Sequence, residues 1–331
     1  MSTSVQSSTN QPKVGGADAV RMTRRCCLGL VATGLINTHL SADEVDGSNQ
    51  ANRTRTLSTS KVAPGRVKTK WATEYRVGRF QVHSDAPMVA SKSSPAGEFV
   101  QAAAAGQAAT SSQLDHKKVA AELIAVQRDV ERTLKIQPAE STIHVVLFHA
   151  EHEYNRYLSA YFPKLPRRRA LYLQDRGPGM LFAYWHADLL EDLRHEVVHA
   201  VVNDEGQSPP IWLDEGVAEY FEVPAGQRFA GSPHLPAVVA KCNDATSPSL
   251  AGLAKVKSMA EFTEGYYRDS WAWVHFLLHR NRPLRRQLVR YLADLRSGTP
   301  VEPLEKQLQR TCPDLHQQFV AHFRHFASRQ G

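Results

Sequence analysis

From Ala187 to Val202 the apolar residues Leu189, Leu190, Leu193, Val197, Val198 and Val201 recur at helical spacing. A repeat near 3.6 residues places them on one side of a helix that must bury that side. Asn203-Asp204-Glu205-Gly206, followed by Pro209-Pro210, ends the helix. This helix divides the chain. Before it, strand patterns dominate: Trp71 to His83 alternates through Tyr75, Val77, Phe80 and Val82, and Thr142 to Phe148 is β-branched and apolar. Leu171–Leu173 and Met180–Tyr184 flank a Gly-Pro-Gly turn and predict a hairpin. Helical patterns there are confined to 117–135 and Glu153–Phe162, while 102–112 reads as a linker or a helix start. After it, a short helix over Leu213–Glu222 and an irregular stretch over 223–248 lead to helices near 258–263, 268–280, 283–297, 301–310 and 314–328. Strands first and helices later predict an α+β fold, with a sheet-bearing part over 71–185 and a helical part over 186–331.

The residues before Trp71 have a different character. Thr23-Arg24-Arg25 precedes a short apolar stretch, Cys26 to Ile36, and Leu40-Ser41-Ala42 offers a cleavage point. Residues 1–42 therefore read as an export leader of twin-arginine type, with Cys27 where that motif usually has Phe. Met22 is a second candidate start, and a disordered basic tail is the alternative reading. Export implies a periplasmic or extracellular location. Residues 43–70, rich in Ser, Thr, Asn and Arg, bury too little to offset ordering entropy and read as a disordered linker.

Charge follows the same division. Residues 1–70 carry 10 Lys/Arg against 4 Asp/Glu, and 71–331 carry 30 against 29. The net charge of +7 thus lies mostly in the leader. A nearly neutral body argues against a nucleic-acid partner, whose phosphates need cations on the folded surface. No apolar run reaches the roughly 18 residues of a membrane span, so no stable span is expected in the mature form. Cys242 and Cys312 remain outside the leader, as a disulfide or as two buried thiols.

The dividing helix carries His195-Glu196-Val197-Val198-His199. Residues four apart lie one turn above each other, so His195 and His199 present two imidazoles to one ion. Zinc accepts such nitrogens in tetrahedral geometry, and a catalytic site takes a third protein ligand and leaves its fourth position to water. Glu196, beside the first histidine, is placed to move protons to and from that water. The bland alternative is a surface helix whose histidines face solvent.

Sixteen positions after His199, Glu215 stands in Trp212-Leu213-Asp214-Glu215-Gly216-Val217-Ala218-Glu219. With the His-Glu-x-x-His helix, this stretch resembles the gluzincins, zinc peptidases whose third ligand is a glutamate on a second helix. Tyr267-Arg268-Asp269-Ser270-Trp271-Ala272-Trp273-Val274-His275-Phe276-Leu277 strengthens a similarity to peptidase-MA-like domains of exported bacterial proteins. The resemblance covers 186–280 well and 70–328 loosely. It departs in a short gap between His199 and Glu215, and in Asp214 where aminopeptidases have Asn.

The resemblance implies a zincin-like domain with a mixed sheet and an active-site helix, followed by a helical C-terminal part. It implies one zinc ion per chain on His195, His199 and Glu215, with Glu196 as general base and a peptide or protein as substrate. It also implies that Glu219 orients the first histidine, with Asp214 a weaker candidate for such a role, and that Tyr267, or its neighbour Tyr266, stabilises the oxyanion. In zincins a sheet edge above the active helix pairs with substrate, and Thr142–Phe148 is the candidate for it, with a buried core strand the alternative. The competing reading is a non-catalytic binding or scaffold protein; a hydrolase of non-peptide amides or esters is a third. His144, His149, His152, His186 and His234 lack a helical partner and are set aside. The basic run Pro166-Arg167-Arg168-Arg169 reads as a solvated loop, or as recognition of an acidic group.

Overall fold

A computed structural model describes residues 30–31, 71–87, 115–163, 165, 167–174 and 177–327. The expected linker over 43–70, the 102–112 segment and the leader apart from Leu30–Val31 lie outside these residues.

The fold is α+β. The strands are β1 (Leu30–Val31), β2 (Thr73–Val77), β3 (Phe80–Ser84), β4 (Ile143–Phe148), β5 (Ala170–Gln174) and β6 (Gly179–Tyr184), in the order β1-β5-β6-β4-β3-β2. The five longer strands form a mixed sheet. β3, β4 and β6 run parallel, while β2 and β5 are antiparallel to their neighbours. β1 is a two-residue parallel pairing with Leu173 and Gln174 on the outer side of β5.

The alternating stretch expected as one strand over 71–83 is two. Gly78, at φ +56°, turns the chain between β2 and β3, a left-handed position that favours glycine. Thr142–Phe148 is not an edge. β4 lies between β3 and β6, with five of its six residues buried. A strand paired on both sides has no free backbone groups for a substrate, so the expected pairing role falls away. The 171–184 hairpin forms as expected, with Leu171 opposite Phe182.

The sheet separates two apolar layers. Val145, Leu147, Tyr172, Leu181 and Ala183 face the main core, which includes α1 (His116–Leu134) and α3 (Leu189–Val202). Val146, Phe148, Leu171 and Phe182 face α2 (Glu151–Tyr161) through Tyr154 and Leu158. α1 starts where the Asp115 carboxylate accepts the Lys117 and Lys118 N–H groups, and it buries the stripe Val119, Leu123, Val126, Val130 and Leu134.

The remaining helices are α4 (Ile211–Glu222), α5 (Leu235–Asn243), α6 (Leu250–Lys255), α7 (Glu264–His279), α8 (Arg282–Arg296), α9 (Leu304–Thr311) and α10 (Leu315–Ala327). Part of the stretch read as irregular, 223–248, is therefore α5, with Pro236 in its first turn, where proline is tolerated. α4 is buried on every side, between α3 and α7. Cys242 and Cys312 are both free thiols. Among the described residues no helix is long and apolar enough to cross a membrane.

Among the described residues, His275, His279 and His322 of the C-terminal helices meet without a carboxylate bonded to them. His275 Nε2 donates to the Phe229 carbonyl at 3.0 Å, and His322 Nε2 meets His275 Nδ1 at 3.1 Å. His279 Nε2 lies 2.8 Å from the Tyr220 hydroxyl. Burial and the Arg285 charge push His279 down to about 4, and burial with His279, Arg280 and His325 does the same to His322. Unfolded histidine titrates near 6.5. Between these values the unfolded chain binds protons that the folded chain refuses, so falling pH favours unfolding. The contribution of His279 and His322 to stability should be lost as pH falls from about 6.5 to about 4. Denaturant titrations across that range check it, and His322→Gln should flatten the slope.

Candidate metal centre

α3 and α4 are held by the turn between them. Gly206 has φ +76°, and a Cβ there would lie 2.3 Å from the Arg296 carbonyl oxygen, so α8 packs directly on the turn. Gln207 N–H donates to the Leu295 carbonyl at 2.9 Å, and Arg296 Nη1 donates to the Val201 carbonyl at the end of α3. On the far side of the turn Arg79 pairs with Asp204 at 2.6 Å. The chain thus returns at a fixed angle, and α4 lies against α3.

Gly216 sets the depth of α4. A Cβ on it would lie 2.6 Å from the Ser270 carbonyl oxygen of α7. Glycine inside a helix costs about 1 kcal/mol relative to alanine. Here it permits the close approach that presses α4 and its glutamates onto α3. Glu215, Glu219 and Glu222 follow at i, i+4 and i+7, so one stripe of α4 is acidic and faces the histidines.

His195, Glu196, His199 and Glu215 are all buried. His195 Nε2 lies 3.5 Å from Glu215 Oε2, and His199 Nε2 lies 3.8 Å from the same oxygen. The ligand atoms of the three residues fall within 4.8 Å of one another. Ligands at zinc distance in a tetrahedron are about 3.3 Å apart, so the gap between these atoms fits one ion.

The far nitrogens are engaged. His195 Nδ1 lies 3.1 Å from Glu222 Oε2, and His199 Nδ1 lies 3.0 Å from Asp214 Oδ2. A carboxylate only accepts, so each Nδ1 carries a proton and each Nε2 faces inward, its lone pair available to an ion when the imidazole is neutral. Asn203 Nδ2 donates to Asp214 at 2.9 Å and to the His199 carbonyl at 3.1 Å, which fixes that carboxylate. Burial raises the Glu196 and Glu215 carboxyls against the lowering effect of the two histidines. At His199 burial acts downward, but the Asp214 and Glu215 charges prevail and carry it to about 9.

Glu196 is placed apart from the three converging groups. Its Oε2 accepts the Tyr172 N–H of β5 at 2.7 Å. Its Oε1 is buried and has no hydrogen-bond partner among the described residues.

The expected residues His195, His199 and Glu215 therefore come together, with Glu196 alongside. Glu219 holds a different position from the one expected of it. It is 4.0 Å from His195 Nδ1, and its other oxygen takes His234 Nε2 at 2.7 Å. Glu222, one turn further on, is the nearer carboxylate to His195. Its i+7 spacing from Glu215 was the available signal. His234, set aside on spacing, reaches the site from the start of α5. Tyr267 is buried near the start of α7, edge-on to Phe262 at 4.8 Å, and half-buried Tyr266 lies against the same ring. A separate cavity of about 680 Å³, bordered by Asp85, Phe148, His149 and Tyr157, lies on the α2 side of the sheet.

No protein-family model matches the chain, and no curated protein matches it.

Asp214→Ala and Glu222→Gln should each weaken binding of a divalent metal ion about 10- to 100-fold, with a smaller loss for Glu219→Gln; competition with a chromophoric chelator measures this. Gly216→Ala should destabilise the fold by about 1–3 kcal/mol in denaturant titrations, because the methyl group meets backbone rather than a side chain that can move.

Proposed function

We propose that the chain is a zinc-dependent hydrolase of peptide bonds, built on a zincin-like fold. The observation that carries this reading is the meeting of His195 Nε2, His199 Nε2 and Glu215 Oε2 around one ion-sized gap, with Glu196 beside it. Two imidazoles and one carboxylate suit zinc better than the all-oxygen preference of magnesium or calcium. Five buried carboxylates (Glu196, Asp214, Glu215, Glu219 and Glu222) surround two buried imidazoles, a charge balance that a divalent cation corrects.

Zinc held by His195, His199 and Glu215 would supply Lewis-acid polarisation of the scissile carbonyl and would activate water as a nucleophile near neutral pH. Glu196 does the proton work: Oε1 takes the proton from water and then delivers it to the leaving amine. Its burial raises its pKa, which suits a group that both takes and gives a proton. Glu222 and Asp214 keep both ligand imidazoles in the required tautomer. Tyr267 is the proposed oxyanion donor, with Tyr266 the second choice. In favour of this, α7 crosses α4 at Gly216 and Ser270, one turn beyond these tyrosines. Residues 1–42 would export the enzyme through a twin-arginine type of signal.

Elemental analysis of the purified protein should give about one zinc per chain, lost in His199→Ala. Glu196→Gln should keep the zinc and lower hydrolysis of a peptide library by at least about 100-fold. Zinc without hydrolysis of any peptide would leave a binding protein. A folded protein that takes up no zinc would sink the metallopeptidase reading.

A further inference from the structure

The basic run before β5 contains a group that the metal centre does not use. Arg169 is paired with two carboxylates: Nη1 donates to Asp188 at 2.9 Å and Nη2 to Asp192 at 2.6 Å. Arg168 is different. Its Nε and Nη1 are buried, and neither has a hydrogen-bond partner among the described residues. No carboxylate among those residues forms an ion pair with it either, whereas Arg167 beside it is exposed to water.

A second orphan lies nearby. Tyr154 of α2 is fully buried, and its hydroxyl also has no hydrogen-bond partner among the described residues. The charges of Glu196, Asp192 and Arg168 all act on that hydroxyl. Rings connect this corner to the start of α3: Tyr154 packs on Tyr184 at 5.3 Å, Tyr184 on His186 at 5.0 Å, and His186 Nε2 lies 3.0 Å from Asp192. Asp192 precedes Glu196 by one helical turn, and Arg168 leads into the strand whose Tyr172 N–H holds Glu196. The orphan donors therefore sit at the same end of β5 and α3 as the proposed base.

Buried polar atoms are normally satisfied, whereas half-buried Arg168 leaves its buried Nε and Nη1 without partners among the described residues. The unused Nε and Nη1 donors of a guanidinium, with the Tyr154 hydroxyl within reach of its charge, suit a carboxylate in charge and in hydrogen bonding. We propose that Arg168, supported by Tyr154, receives a carboxylate of the substrate. The hydrolase then prefers peptides that present one on the β5 side of the metal centre. This inference rests on the proposed peptidase reading for its substrate class. The carboxylate comes either from a peptide C-terminus or from an Asp or Glu side chain.

The test uses binding rather than turnover, on the full chain loaded with zinc and carrying Glu196→Gln. Three probes are compared by calorimetry: an N-acetylated tetrapeptide acid of neutral side chains, its C-terminal amide, and that amide with one residue replaced by Glu. The acid, the Glu-containing amide or both should bind at least about tenfold more tightly than the plain amide. Which of them does so identifies the source of the carboxylate. Adding Arg168→Gln should abolish the difference with zinc content and Tm unchanged. Arg167→Gln should leave it intact, and Tyr154→Phe should reduce it. Arg168→Lys, which keeps the charge but loses the Nε and Nη1 donors, should restore only part of it and stands in if Arg168→Gln does not fold.

Equal binding of all three probes, no binding of any, or discrimination that survives Arg168→Gln would overturn the proposal. The two readings fail separately. Peptides cleaved by the Glu196 protein without regard to a carboxylate would leave the peptidase and remove this site. Carboxylate discrimination without any cleavage would leave the site and remove the peptidase.

Discussion

Five carboxylates and two imidazoles lie buried between α3 and α4, and a protein interior holds that much charge only when it is paired. Each carboxylate there has a separate partner or place. Glu222 and Asp214 take the Nδ1 protons of His195 and His199, and Glu219 takes His234. Glu215 meets the two inward Nε2 atoms, and Glu196 takes a backbone N–H from β5. The arrangement leaves one gap of ionic size, bordered by two nitrogens and an oxygen. The elements around it serve to hold this charge in place: the sheet supports α3 from one side, and the C-terminal helices press α4 down from the other.

That pressure depends on backbone rather than on side chains. Gly216 lets α7 come within contact of α4, and Gly206 lets the end of α8 sit on the α3–α4 turn. Both glycines give up local stability to permit contacts that a side chain would block. The acidic stripe of α4 meets the histidines because the helix is clamped at these two points. The Arg79–Asp204 pair adds a third tie, from the β2–β3 turn to the chain just after α3.

The antiparallel strand β5 connects this scaffold to the proposed chemistry. It runs beside the helix that carries Glu196 and supplies the N–H that orients that carboxylate. The segment leading into it supplies two arginines in different circumstances, one paired with two aspartates and one with two nitrogens unused among the described residues. A site for proton transfer and a site for a charged substrate group can thus be built from one strand and the helix beside it. Neither needs a residue from the α2-side cavity.

The sequence by itself determined the parts whose signal is local. Apolar spacing gave α1, α3 and α7–α10 to within a few residues, except that α7 begins at Glu264, ahead of the expected 268. It gave the β5–β6 hairpin and the α+β order as well. The pair His195 and His199 is fixed by helical pitch alone, and Glu215 and Glu196 were legible from the motifs around them. Only the tertiary structure decided what depends on neighbours distant in sequence. It made β4 a central strand, since sheet order is set by long-range pairing that a β-branched run does not encode. It split 71–83 at Gly78 and revealed α5 and α6, whose short patterns are masked by Gly and Pro. It chose Glu222 over Glu219 for His195, because the choice turns on how far α4 is rotated against α3. The contact between Gly216 and Ser270 enforces the close approach of α4 and α7, and no pattern within α4 specifies it.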